Sequence, residues 1–210
     1  MRNLIVCLFL ILSSFCFSQK FEKFTDAENH LILFDAQKEL VVIQKSNPSD
    51  SIILKTNSKI IDPADLKTKI LSEKMLVAVL RDQGVGIAAP QVGINRRMIL
   101  VQRFDKPGNP FDVMINPEIL WHSELMQKGP EGDLSFEERG LVMRYYAVQI
   151  QYFNLKGEEI TEFLEGFTSV IFQHERDHLD GILLTDRVEE QKSLTFKPAN
   201  ENTNLYFLGN

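Results

Sequence analysis

Thiols are nearly absent from this 210-residue chain. Cys7 and Cys16 are its only cysteines, and both lie among the first 18 residues. With that stretch removed, neither a disulfide nor a thiolate metal ligand is available. Basic charge is short as well. Losing Arg2, the only charge among residues 1–18, takes 23 basic residues to 22 against 29 acidic ones, a formal net charge of −7. An acidic surface of this kind argues against nucleic acid as a partner. The longest apolar run, Leu4 to Leu12, is far below the ~20 residues of a membrane span. No internal repeat is present. The glycine-rich run Gly84–Gln91 lacks the Gly-Lys-Ser/Thr of a phosphate loop, and no strand feeds it, so it does not read as a nucleotide site.

What the chain does contain starts with that leader. Met1-Arg2-Asn3 is a short basic start, Leu4–Leu12 is apolar, and Ser13-Ser14-Phe15-Cys16-Phe17-Ser18 supplies small residues for cleavage after Ser18. This pattern is a secretory signal peptide over residues 1–18, which places the mature protein outside the cytoplasm, periplasmic or secreted, with no stable membrane span after cleavage. Phe15 is too bulky for a lipoprotein signal at Cys16.

Residues 19–52 read as an N-terminal extension. Leu31–Phe34 and Leu40–Ile43 are expected to form two strands, a hairpin around residues 35–38, and Ser46–Ser51 a turn or linker. Asp62 followed by Pro63 starts a helix that keeps apolar spacing through Leu66, Ile70, Leu71, Val77 and Leu80 to Arg81. Strands are expected at Met98–Val101 and Val113–Asn116, and a loop at Glu131–Ser135. Val148, Ile150 and Tyr152 alternate as a half-buried strand, which Asn154–Gly157 turns back toward Ile160 and Phe163. Residues 53–188 form the main domain, and the polar tail 189–210 carries no assigned role. The fold class is α+β, with short, mostly antiparallel strands packed around one helix.

That helix bears the chemistry. His174-Glu175-x-x-His178 places two imidazoles four residues apart on one face, so both reach a single point suited to a divalent metal. Glu175 lies roughly 100° around the helix, off the ligand line but near enough to take a proton from water activated there. Val170 and Ile171 share the histidine stripe, and titratable rings on an apolar stripe are costly unless something satisfies them. Asp180-Gly181 stops the helix. Two histidines leave the ligand set incomplete.

Three motifs now combine. Gly84–Gln91, Glu131–Ser135 and Gln173–His178 stand in the order and spacing of the motifs G-x-G-x-A-A-x-Q, E-G-C-L-S and Q-H-E-x-D-H, and over about Ile53–Val188 the chain resembles the peptide deformylases. The resemblance implies their fold and a metal-dependent amide hydrolysis that removes the formyl group from N-formylmethionyl peptides. By the same resemblance, His174 and His178 would bind one divalent ion, Fe2+ or Zn2+, and Glu175 would serve as general acid and base. Gln91 and the Leu134 N–H would stabilise the oxyanion. Gly86, Gly132 and Arg144 would contact the peptide, and Val85, Val170 and Ile171 would line a pocket for a methionine-like side chain.

The chain departs from that pattern at one ligand. Asp133 stands where the motif has its metal-binding cysteine. A carboxylate is a legitimate third ligand and keeps the site's formal charge. Phe136-Glu137 follows where an aliphatic residue and a proline are usual. Two other readings stand beside the hydrolase: a non-catalytic or repurposed exported homologue that binds formyl peptides or cleaves another small amide, and an exported metalloprotease. The two upstream motifs speak against the protease. Oligomeric state is left open by the sequence.

Overall fold

A computed structural model describes residues 21–34 and 39–209. Its centre is the strand β2 (Met98–Gln102), whose run Met-Ile-Leu-Val is buried on both faces. Met98 and Leu100 point into one core, with Leu71, Met75, Ala78 and Val79 of helix α3 (Leu66–Arg81). Ile99 and Val101 point into the other, with Ile171, Phe172 and Leu179 of helix α4 (Gly166–Leu179). A strand's side chains alternate between faces, so a continuous apolar run is what this double burial needs.

Five antiparallel strands form the sheet around it. They lie in the order β1 (Gly86–Ala88), β2, β3 (Phe111–His122), β6 (Ala147–Phe153) and β7 (Glu159–Glu165). A second sheet has the order β5 (Phe136–Tyr145), β4 (Leu125–Asp133), β9 (Leu205–Leu208), β8 (Phe196–Pro198). The expected α+β architecture is observed, and α4 is mostly buried between the two sheets. It ends as Asp180-Gly181 implies: Gly181 takes φ +70° and its N–H donates to His178 O at 3.2 Å, while Ile182 N–H donates to Asp177 O at 2.9 Å. These are the two bonds of a Schellman stop. Among the described residues no helix is long and apolar enough to cross a membrane.

Several local expectations are corrected. Leu31–Phe34 is not a strand: Asp26–Asn29 is a short α-helix (α1) capped by Thr25, and His30–Phe34 continues it as a π-turn. Residues 40–43 form no strand either, and residues 35–38 lie outside those described. Ile32 faces the core while Leu31 and Leu33 stay exposed, so an apolar tetrad of mixed burial imitated a strand. Of Ser46–Ser51 only the first two residues are a turn, closed by Asn47 N–H to Gln44 O at 2.9 Å; Asn47 then caps helix α2 (Pro48–Leu54). Helix α3 starts at Leu66 with Asp65 as its cap; Asp62 instead accepts from Ala64 N–H in a preceding turn. Glu131–Ser135 is the end of strand β4 and a tight turn, rather than a loop. The C-terminal segment carries helix α5 (Leu184–Gln191), and β9 pairs with β4 through Leu125↔Phe207 and Met126↔Tyr206.

The N-terminal extension is part of the core. Phe24, Ile32, Leu40 and Val42 are buried in the α3 cluster. Arg96, 1% exposed, holds Glu28 through two bonds of 2.8 and 2.6 Å and also caps Glu22 O and Lys23 O.

Candidate metal centre

Helix α4 carries His174 and His178 on one side, their ring centroids 5.1 Å apart and their planes at 72°. Strand β4 brings in Asp133, at a register shift between Glu131 and Asp133 that re-aims the strand end. The Asp133 Oδ2 atom lies 3.1 Å from His178 Nε2 and 3.6 Å from His174 Nε2. The first is misaligned for a hydrogen bond and the second is too long for one. Asp133 Oδ2 and both ring nitrogens of His178 are buried without a hydrogen-bond partner.

Buried polar atoms in this state are costly, and a native fold leaves few of them. Donors on one tetrahedral ion, each about 2.1 Å from it, stand about 3.4 Å apart. The three donors lie within 4.8 Å of one another. The residues fit a single divalent cation.

The surrounding groups fix the ligand atoms. His174 Nδ1–H donates to Glu131 Oε2 at 2.9 Å, which leaves Nε2 as the free donor toward the centre. Glu131 is held in turn by Arg144, through Nε to Oε1 and Nη2 to Oε2, both 2.9 Å. Arg144 also donates to Asp177, which Arg187 clamps from the other side at 2.9 and 2.6 Å. Gln173 ties α4 to β5: it accepts Tyr145 N–H at 3.0 Å and donates to Tyr145 O at 2.8 Å. Asp133 Oδ1 accepts from Ser135 N–H at 2.8 Å and from Gln91 Nε2 at 3.1 Å.

The electrostatics favour a positive charge at the centre. Burial opposes the charged form of His174, yet the bond to Glu131 and the charges of Glu175, Glu131 and Asp133 raise it to about 9. Burial likewise opposes ionised Asp133, and the two histidines hold it down at about 2. Glu175 behaves differently. Burial, with Asp133 and Glu131 adding repulsion, pushes it up to about 7. Its Oε2 has no hydrogen-bond partner. One carboxylate is thus fixed as an anion and its neighbour is poised to exchange a proton.

A cleft of about 410 Å³ opens on this centre. Val85, Gly86, Gln91, Gly132, Leu134, Val170, Ile171, His174 and Glu175 all line it, so the three motif segments meet there as their resemblance implied. Gly86 has a packing reason as well: a Cβ there would collide with Glu175 Oε1 and sit 2.8 Å from Ile171 Cγ2. Arg144, grouped with the peptide-contacting residues, is instead 5% exposed and absent from the cleft lining, its guanidinium taken up by Glu131 and Asp177.

Residues 43–45 of the N-terminal extension brace the site. Ile43 N–H donates to Gln91 O at 2.8 Å, Gln44 Nε2 to Leu134 O at 3.1 Å, and Lys45 N–H to Ser135 O at 2.9 Å. Glu131 and Asp177 were missed at the sequence level. A period of two along β4 sets Glu131 beside Asp133, and the four-residue step from Gln173 to Asp177 marks the rear face of α4.

Known proteins share this fold. The sequence profile of the polypeptide deformylase family matches residues 39–194. The chain belongs to that family. It is 38% identical over 146 residues to a peptide deformylase of Thermotoga neapolitana, covering 69% of this chain and 87% of that protein. Among solved structures, the class I type b peptide deformylase of Acinetobacter baumannii, bound to Met-Ala-Ser, is 38% identical with a TM-score of 0.65, covering 71% of this chain and 99% of that one. A Thermotoga maritima peptide deformylase is 34% identical with a TM-score of 0.65, covering 72% and 98%. The chain is therefore a deformylase-type, metal-binding hydrolase with the deformylase fold.

Proposed function

We propose that this protein is an exported peptide deformylase that works with an Asp-His-His metal site and releases formate from N-formylmethionyl peptides. The observation that carries the reading is the convergence of Asp133, His174 and His178 beside Glu175 and Gln91 at the head of one cleft. A divalent ion held there, Fe2+ or Zn2+, supplies Lewis acidity that polarises the formyl carbonyl and makes water nucleophilic at neutral pH.

The protein's own groups do the rest. Val85, Val170 and Ile171 form the apolar wall against which a methionine side chain packs. The Gln91 amide and the Leu134 N–H face the formyl oxygen and stabilise the negative charge that develops on it as water adds to the carbon. Glu175 takes the proton of that water and passes it to the peptide nitrogen as the C–N bond breaks, giving formate and a free amino terminus. The Met-Ala-Ser bound in the Acinetobacter protein supports a short peptide as the occupant of this cleft.

Export gives the aspartate a rationale. A thiolate ligand outside the cytoplasm is open to stepwise oxidation, whereas a carboxylate is not. Two measurements test the reading. Formate release from formyl-Met-Ala-Ser by the metal-loaded mature protein is expected, and binding without release would support the non-catalytic alternative. Asp133→Cys should bind metal but lose activity faster in peroxide than the wild type. An inert, metal-free wild type rescued by Asp133→Cys would overturn the proposal.

A further inference from the structure

The Gln91 side chain is only partly free for substrate. It sits 2% exposed on the 3-10 turn Ala89–Val92, and its Oε1 accepts Ala88 N–H at 2.9 Å, which fixes the plane of the amide. The Nε2 group carries two hydrogens. One points to Asp133 Oδ1 at 3.1 Å, on the same oxygen that takes Ser135 N–H at 2.8 Å. Asp133 Oδ1 is thereby occupied by two donors, while Oδ2, the atom nearest both histidines, has none.

We infer that Gln91 is a positioning residue for the metal ligand in this chain: with Ser135 N–H it clamps Asp133 Oδ1, so that the carboxylate presents Oδ2 alone to the ion. The need for a clamp follows from the ligand itself. A carboxylate has two equivalent oxygens and can rotate to offer either or both, an ambiguity a single-atom ligand lacks. Two donors on one oxygen remove it. The second Gln91 hydrogen remains for the substrate oxygen, so one rigid amide ties the ligand's orientation to the oxyanion donor.

The inference rests on Asp133 being a ligand, and a metal-affinity cycle separates the two ideas. Zinc dissociation constants are measured by chelator competition for the wild type, Gln91→Met, Asp133→Ala and the double variant. Groups that orient metal ligands are typically worth about 10–100-fold in affinity. Gln91→Met should weaken zinc binding by that factor in the wild type and leave Asp133→Ala unchanged, because no carboxylate then remains to hold. An equal loss in both backgrounds, or no loss in either while Asp133→Ala is weak, would overturn the clamp and leave the ligand set standing. Full affinity in Asp133→Ala would remove the ligand itself. Thermal unfolding of the metal-free variants checks the fold; if Gln91→Met is unfolded, Gln91→Leu takes its place in the cycle.

Discussion

The two sides of α4 bury charge in opposite ways. Toward the rear, Arg144 and Arg187 meet Asp177 and also Glu131, which reaches through to His174 on the front, with every carboxylate oxygen bonded. On the front, Asp133 Oδ2, Glu175 Oε2 and the His178 nitrogens have no hydrogen-bond partner. Both sides carry the desolvation cost of buried ions, but only the rear offsets it within the chain. A satisfied cluster is a scaffold, and an unsatisfied one waits for something. Cavity size points the wrong way. The larger hollow, about 540 Å³, lies behind α4 over the satisfied network, whereas the cleft on the unsatisfied groups is about 410 Å³.

The sharpest break between the two sides should come from Glu175→Gln. It keeps the shape of the side chain and removes the base, so formate release should fall by about 10²–10⁴-fold. Metal content should stay near that of the wild type. Wild-type turnover in this variant would place the proton transfer elsewhere.

Arg144→Met probes the rear. It strands Glu131 and Asp177 as buried, partly unpaired carboxylates, and breaking a buried pair in this way costs about 3–5 kcal/mol. Denaturant unfolding of the metal-free protein should show that loss. Because Glu131 orients His174, metal affinity should drop as well. A variant as stable as the wild type would mean that the rear network is not a scaffold.

The smallest effect is a pH limb. Glu175 in the folded, metal-free protein is raised to about 7 from an ordinary value of 4.5, so the folded state holds a proton that the unfolded state has lost. Its contribution to stability is therefore complete below pH 4.5 and lost as pH rises through about 7. Catalysis runs the other way, since the base must be ionised, and a bound cation favours the ionised form. Formate release should therefore rise with pH along a limb that ends below 7. Glu175→Gln should flatten both the stability slope and the rate limb.

The front of α4 was legible in the sequence because its chemistry is local. His174, Glu175 and His178 fall within one helical turn and a half, and Gly84–Gln91 announces itself by its glycines. The rear was not. Arg144 and Asp177 are 33 residues apart, and nothing in either stretch says that they meet. The ends of the chain failed for a different reason. Leu31–Phe34 is apolar but only Ile32 among its first three residues is buried, and β9 is the four-residue apolar stretch Leu-Tyr-Phe-Leu, short enough to be passed over among the polar residues around it. The α+β class survived these errors, since the apolar run of β2 and the alternation of β6 were strong enough to set it.

Metal stoichiometry tests the central claim most directly: that the unsatisfied front of α4 is a metal site completed by Asp133. The wild type and Asp133→Ala, both begun at Gln19, would be purified side by side, loaded with the same ion, dialysed together and assayed for metal per chain. The account predicts close to one ion in the wild type and a small fraction of that in the variant. Equal retention in the two proteins would contradict it.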